Sequence, residues 1–120
     1  MSNAVETLMR RNLTEVFGEH DETRRRRTIS EIMTEDVVFS DHDGRHIGHE
    51  AMNAAVASLQ GRFPDFVFTE QTPPQTLTDA GRLRWGFGPP GAPPVVAGMD
   101  VVTLRDGKIA ALYVFLDAKP

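Results

Sequence analysis

Two aspartates and three histidines are the residues of this chain whose types and spacing point to chemistry. Asp100 interrupts an apolar run, Val95-Val96-Ala97-Gly98-Met99-Asp100-Val101-Val102-Thr103-Leu104. An ionised carboxylate in apolar surroundings is costly, so an acid placed there is paired, protonated or functional. Asp41 ends a shorter apolar strand, Val37-Val38-Phe39-Ser40. Two carboxylates on separate strands of one small cup suit acid–base chemistry on a small apolar molecule. Structural readings stand beside the chemical one. Asp100 at a rim, or against Arg82 or Arg84, would be an ion-pair acid, and Asp41 just before Asp43-Gly44 would be a turn residue.

His42, His46 and His49 lie close in sequence to Asp41 and Asp43. A metal site needs ligands that converge. These histidines lie across a turn and a helix start, with no helical H-x-x-x-H spacing, and the chain has no cysteine. No metal and no cofactor are expected. Exposed loop histidines are the simpler reading, and one of them near a pocket mouth could shuttle a proton.

The elements that must position these groups are legible in the spacing of apolar residues. Val5, Leu8, Met9, Leu13, Val16 and Phe17 form one stripe of an amphipathic helix over residues 3–18, with Asn3 and Glu6 as its cap and Gly18 as its stop. Asp21 caps a second helix through about Met33 that turns Thr28, Ile29, Ile32 and Met33 inward. Its run Arg24-Arg25-Arg26-Arg27 fans around the helix at about 100° per residue and reads as a solvated surface, with Glu22–Arg26 and Arg27–Glu31 at pairing distance. After the strand Val37–Asp41 and the turn at Asp43-Gly44, Gly48 precedes a third helix, about His49 to Gln60. The remainder reads as β. Phe66–Thr69, Gln75–Thr78 and Leu83–Phe87 are strand segments, and Val95–Arg105 and Lys108–Asp117 flank the hairpin signal Asp106-Gly107. Gly98 suggests a bulge or bend, and the Pro-rich segment 88–94 a stiff connector rather than a lid.

Composition excludes several classes. The 120 residues make one domain, 1–120, large enough to bury a core without disulfides. Thirteen basic against 17 acidic residues give a net charge of -4, which disfavours a nucleic-acid surface. No apolar run approaches the ~20 residues of a membrane span, and the start carries no leader pattern, so a cytoplasmic protein without membrane partner is expected.

Three segments carry a family resemblance: Thr34-Glu35-Asp36-Val37-Val38-Phe39-Ser40-Asp41, Gly48-His49-Glu50-Ala51-Met52, and Gly98 through Ile109. With them the chain resembles the SnoaL-like branch of the nuclear transport factor 2-like superfamily, whose members include polyketide cyclases, ketosteroid isomerases and limonene epoxide hydrolases. The resemblance implies an α+β fold: a strongly curved, mixed but mostly antiparallel sheet wrapped around three N-terminal helices, cone-shaped, with an apolar pocket. By the isomerase pattern Asp41 matches the proton-moving base and Asp100 the acid that donates a hydrogen bond to the substrate oxygen. Phe17, Phe39, Leu83, Trp85, Phe87, Val102, Leu112, Val114 and Leu116 then line the pocket. The helix-borne tyrosine of the isomerases has no counterpart near Leu13, and the cyclase histidine none in 83–88. The leading expectation is proton transfer next to a carbonyl of a small apolar molecule. The alternative is a non-catalytic small-molecule binder or protein-interaction module of the same fold. Strands apolar on both faces, as the family's habit also suggests, predict a homodimer through the outer sheet face.

Overall fold

A computed structural model describes residues 3–117. The apolar stripe of the N-terminus forms α1, Ala4–Arg11, which continues as a π-helical segment, Asn12–Phe17. Asn3 caps it by accepting from the Glu6 amide at 3.1 Å. Helix α2, Glu22–Ile32, starts on Asp21, whose side chain accepts from the Arg24 amide. Strand β1, Met33–Asp41, hairpins into β2, Gly44–Ile47, and α3, His49–Arg62, follows. Strands β3 (Val67–Glu70), β4 (Gln75–Thr76), β5 (Ala80–Gly88), β6 (Val96–Arg105) and β7 (Lys108–Leu116) complete the sheet.

The strand order is β2-β1-β7-β6-β5-β3, with β4 also pairing β5. β1 runs parallel to β7 and every other recorded pairing is antiparallel, so the sheet is mixed and mostly antiparallel. The helices close its inner face. Val5, Met9, Leu13, Val16 and Phe17 from the first rod, Ile29 and Ile32 from α2, and Met52 and Val56 from α3 meet Val37, Leu83, Val102, Ile109 and Leu112 in one core. Asp106-Gly107 makes the expected tight hairpin, both residues at positive φ (54° and 77°), as a type I′ turn requires.

Four expectations from the sequence are corrected. The segment Gly-Arg-His-Ile lacks apolar alternation and carries no strand signal of its own, yet it becomes β2 by pairing with β1. Gly98 is no bulge: it pairs in unbroken register with Trp85 and Leu116, and the irregularity of this hairpin lies between Thr103 and Leu104. Arg25 does not lie on a solvated surface. It is 3% exposed and donates to Asn53 Oδ1, Gln60 Oε1 and the Glu19 carbonyl at 2.7–2.9 Å, tying α2 to α3 and to the chain after the first helix. Its neighbour Arg26 does stay outside, paired with Glu22 and Glu50. Glu31 pairs with Arg11 rather than Arg27.

Candidate functional site

Alternation along β6 turns Gly98, Asp100 and Val102 to the inner face and Met99 and Val101 outward. Asp100 is 4% exposed and sits between Leu83 on β5 and Val114 on β7. The same alternation settles the ion-pair reading. Arg82 and Arg84 flank Leu83 on the outer face, where they meet Gln75 and Asp117. Among the described residues no cation is paired with Asp100.

Its partner is Trp85, whose Nε1 donates to Asp100 Oδ1 at 2.8 Å. The glycine opposite makes this contact. A Cβ on Gly98 would lie 2.7 Å from Trp85 Cζ2, so the indole lies where a side chain at residue 98 would otherwise project, and its N–H reaches two residues along the strand. Burial pushes the Asp100 carboxyl from 3.8 up to about 7, against the smaller opposing effects of the Trp85 and Asn12 hydrogen bonds. Near neutral pH a substantial share of Asp100 is therefore uncharged and able to donate a hydrogen bond.

Asn12 is the site residue that sequence reasoning missed. It opens the π-helical segment, is 1% exposed and brings its side chain to Asp100 from the helix side. Its Oδ1 is buried and has no hydrogen-bond partner among the described residues. The signal was present: Asn12 falls three residues after Met9 and four before Val16, a polar amide inside an apolar stripe.

Asp41 shares the inner face with Phe39. The parallel register Phe39–Leu112 and Ser40–Tyr113 carries Asp41 to the level of Val114, which pairs with Asp100. The two carboxylates thus lie in one row two strand spacings apart, about 10 Å between their backbones. Asp41 is half-buried and its Oδ1 accepts from the Asp43 amide at 2.9 Å, so it is a turn residue as well as a rim residue. The histidines go three ways. His42 is exposed beside Asp43, and His49 Nε2 lies 2.9 Å from the Thr34 carbonyl and 3.2 Å from that of Met33, while His46 stacks on Phe39. Asp41, His42 and Asp43 bring one ligand atom each within 4.8 Å of one another, but two of the three are exposed and the turn supplies its own hydrogen bond.

Of the expected pocket residues, Phe17, Phe39, Leu83, Trp85, Phe87, Val102 and Leu112 are buried on the inner side, Val114 is half-buried, and Leu116 is 44% exposed at the end of β7. Aromatic edges knit this face. Phe17 meets Phe39 and Phe68 at 5.7 Å, and Phe68 meets Trp85 at 5.4 Å and stacks on Phe87 at 4.3 Å. Two hollows of the described surface lie elsewhere, one along the outside of α1 and one beside Arg82, Arg84 and Met99. The Pro-rich connector leans on the outer side, where Pro94 covers Gly86 and the Val95 amide donates to the Phe87 carbonyl. Among the described residues no helix is long and apolar enough to cross a membrane.

A family model described as a SnoaL-like domain matches residues 11–112, from the first helix to the last strand, and the chain belongs to that family. A candidate isomerase of the SnoaL-like family from Agrobacterium tumefaciens is 25% identical, with a TM-score of 0.88 over 96% of this chain and 98% of that one. A candidate SnoaL-like polyketide cyclase from Jannaschia is 20% identical, with a TM-score of 0.77 over 98% and 90% of the two chains. A designed protein with a curved β-sheet, 16% identical, superposes with a TM-score of 0.74 over 98% and 88%. No curated protein matches the chain.

Proposed function

We propose that this SnoaL-like protein moves a proton next to a carbonyl group of a small apolar molecule held against the inner face of the sheet. The observation that carries the reading is Asp100: a buried acid with an indole N–H for a partner and no paired cation among the described residues. Neutral Asp100 donates a hydrogen bond to the carbonyl oxygen. As the proton leaves the neighbouring carbon, negative charge develops on that oxygen, and a donor already in place stabilises it without reorganisation. The leaving proton passes to a base at the polar rim beside Asp41. Ketosteroid isomerases likewise keep one carboxyl neutral in an apolar site so that it can donate this hydrogen bond. Phe17, Phe39, Phe87 and Leu112 supply apolar surface, and ligand entry requires side chains at the half-buried end, Phe68 and Val114 among them, to swing aside.

Deuterium incorporation next to the carbonyl of a small cyclic ketone in D2O, followed by proton NMR, reads this chemistry without knowledge of the natural substrate. The wild-type chain should exchange the ketone faster than Asp100→Asn by about 100-fold or more, on the order expected for a general acid. Equal rates would remove the catalytic reading.

A specific observation favours a partner surface besides. On the outer face Phe115 is 59% exposed, and Ile47 and Tyr113 stand in the same uncovered sheet face. That patch is proposed as the contact with a second copy of the chain, as a face of this kind usually marks an interface.

A further inference from the structure

The catalytic reading leaves open which group takes the proton. A rim carboxylate is a weak base near neutral pH, whereas the imidazole is the common side chain whose charge changes in that range. Three histidines lie near the rim, and the fold separates them. His42 stands out in solvent beside Asp43, and the Nε2 of His49 faces two backbone carbonyls. His46 alone of the three is placed on the face that holds Asp100. It pairs with Phe39 across the β1–β2 ladder, and directly opposite residues share a face, so its ring joins Phe39, Leu112 and Val102 in the row next to that of Asp41 and Asp100.

Two contacts fix that ring. It stacks on Phe39 with centroids 5.3 Å apart and planes 29° from parallel. Its Nε2 lies 3.7 Å from Asp41 Oδ1, an electrostatic contact rather than a hydrogen bond. Asp41 is itself anchored, because the same oxygen accepts from the Asp43 amide. Both side chains keep part of their surface open, 30% for His46 and 17% for Asp41. Of the other ionisable groups nearby, Asp43 and His42 lie on the exposed turn with ligand atoms within 4.8 Å of that of Asp41, Arg45 is paired with Ser40 on the other face, and Glu50 on α3 is held by Arg26.

We propose that His46 is the catalytic base of this site and that Asp41 is a positioning residue for its ring. Asp41 favours the tautomer with hydrogen on Nε2, which leaves Nδ1 as the acceptor. In the step, the C–H bond next to the carbonyl breaks and its proton goes to Nδ1. The electron pair forms the C=C bond of the enolate, the carbonyl π pair moves to the oxygen, and the hydrogen bond of neutral Asp100 holds the charge there. Return of the proton from His46 to carbon completes exchange or isomerisation with no other reactant. The assignment rests on the acid–base reading given above.

The ketone exchange assay separates the two. His46→Gln retains an amide N–H able to hold Asp41 but has no basic nitrogen, while His46→Phe retains only the stacking on Phe39. If His46 is the base, both variants lose at least tenfold in rate with melting behaviour like that of the parent chain, and Asp41→Asn loses less than either. Activity retained in His46→Gln but lost in Asp41→Asn would overturn the proposal, with Asp41 itself the base and the acid–base reading intact. A wild-type rate no greater than that of Asp100→Asn would overturn that reading, and the role of His46 with it. Should His46→Phe melt early, His46→Gln decides alone.

Discussion

Replacing Asp100 by asparagine should stabilise this protein, and by an amount that depends on pH in a defined way. The Asp100 carboxyl is raised by burial from 3.8 to about 7. The unfolded chain therefore releases this proton near pH 4, whereas the folded chain keeps it until about pH 7. Below pH 4 both states hold it and there is no cost. Between 4 and 7 the cost of folding grows by about 1.4 kcal/mol per pH unit, and above 7 it levels off. About three units give a plateau on the order of 4 kcal/mol. Asparagine has no proton to lose and its Oδ1 can still accept from Trp85 Nε1, so the variant escapes the cost and keeps the bond.

Melting curves of the two proteins at pH 4, 6 and 8 test this. Other acids move the other way. Arg105 holds Asp36, and Arg10 holds Glu70, below their ordinary values, so both chains lose those contributions together as pH falls through the acid range. The difference between variant and parent isolates Asp100. It should be near zero at pH 4 and reach several kcal/mol at pH 8, about 10 °C or more in Tm for a domain of this size. A variant clearly less stable than the parent at pH 8, or a difference that does not vary with pH, would refute the argument and make Asp100 a scaffolding group.

Gly98→Ala should cost about 2 kcal/mol, because the new methyl meets the Trp85 ring and the Phe115 carbonyl. Trp85 is the one tryptophan, so its fluorescence should shift as its hydrogen bond breaks; an unchanged spectrum and Tm would refute the packing argument. Arg25→Met should cost about 3 kcal/mol, since it strands the acceptors Asn53 Oδ1 and Gln60 Oε1 and leaves the Glu19 carbonyl with Gln60 Nε2 as its donor, and urea titration reads this directly. A Tyr113→Lys, Phe115→Glu double variant should sediment as one chain of 13.3 kDa while the parent sediments at twice that mass; a parent of single-chain mass would refute the outer-face contact.

The elements were legible because their signals are local. The stripe from Val5 to Phe17, the cap at Asp21 and the turn at Asp106-Gly107 each depend on neighbours within a few residues, and each stands where the spacing put it. The direction of Asp100 was legible for the same reason, since alternation along β6 settles its face. What surrounds it was not. Arg25 lies in a run of four arginines that look alike in sequence, and only the packing of α3 against α2 turns one of them inward to Asn53. β2 exists by pairing with β1, and Asn12 became a site residue only once the first helix lay across the sheet. Contacts of this kind are set by tertiary structure, which periodicity does not encode.

The structural relatives sharpen what needs explaining. A designed protein reproduces this curved sheet at a TM-score of 0.74 with 16% identity, so the architecture does not by itself call for chemistry. The residues around Asp100 add nothing that such a scaffold requires. An acid there costs on the order of 4 kcal/mol at neutral pH, a large share of the roughly 5–15 kcal/mol that holds a domain together. Gly98 forgoes side-chain packing in mid-strand, and Asn12 buries an acceptor with no partner among the described residues. Each choice is unfavourable for stability alone. Yet the glycine admits the indole, the indole fixes the acid, and the amide faces it from the opposite side, so the three converge on one carboxyl. A core built only to fold would place an aliphatic residue at position 100. That convergence is the argument for treating Asp100 as the centre of a site, and the pH dependence of Asp100→Asn is where it meets measurement.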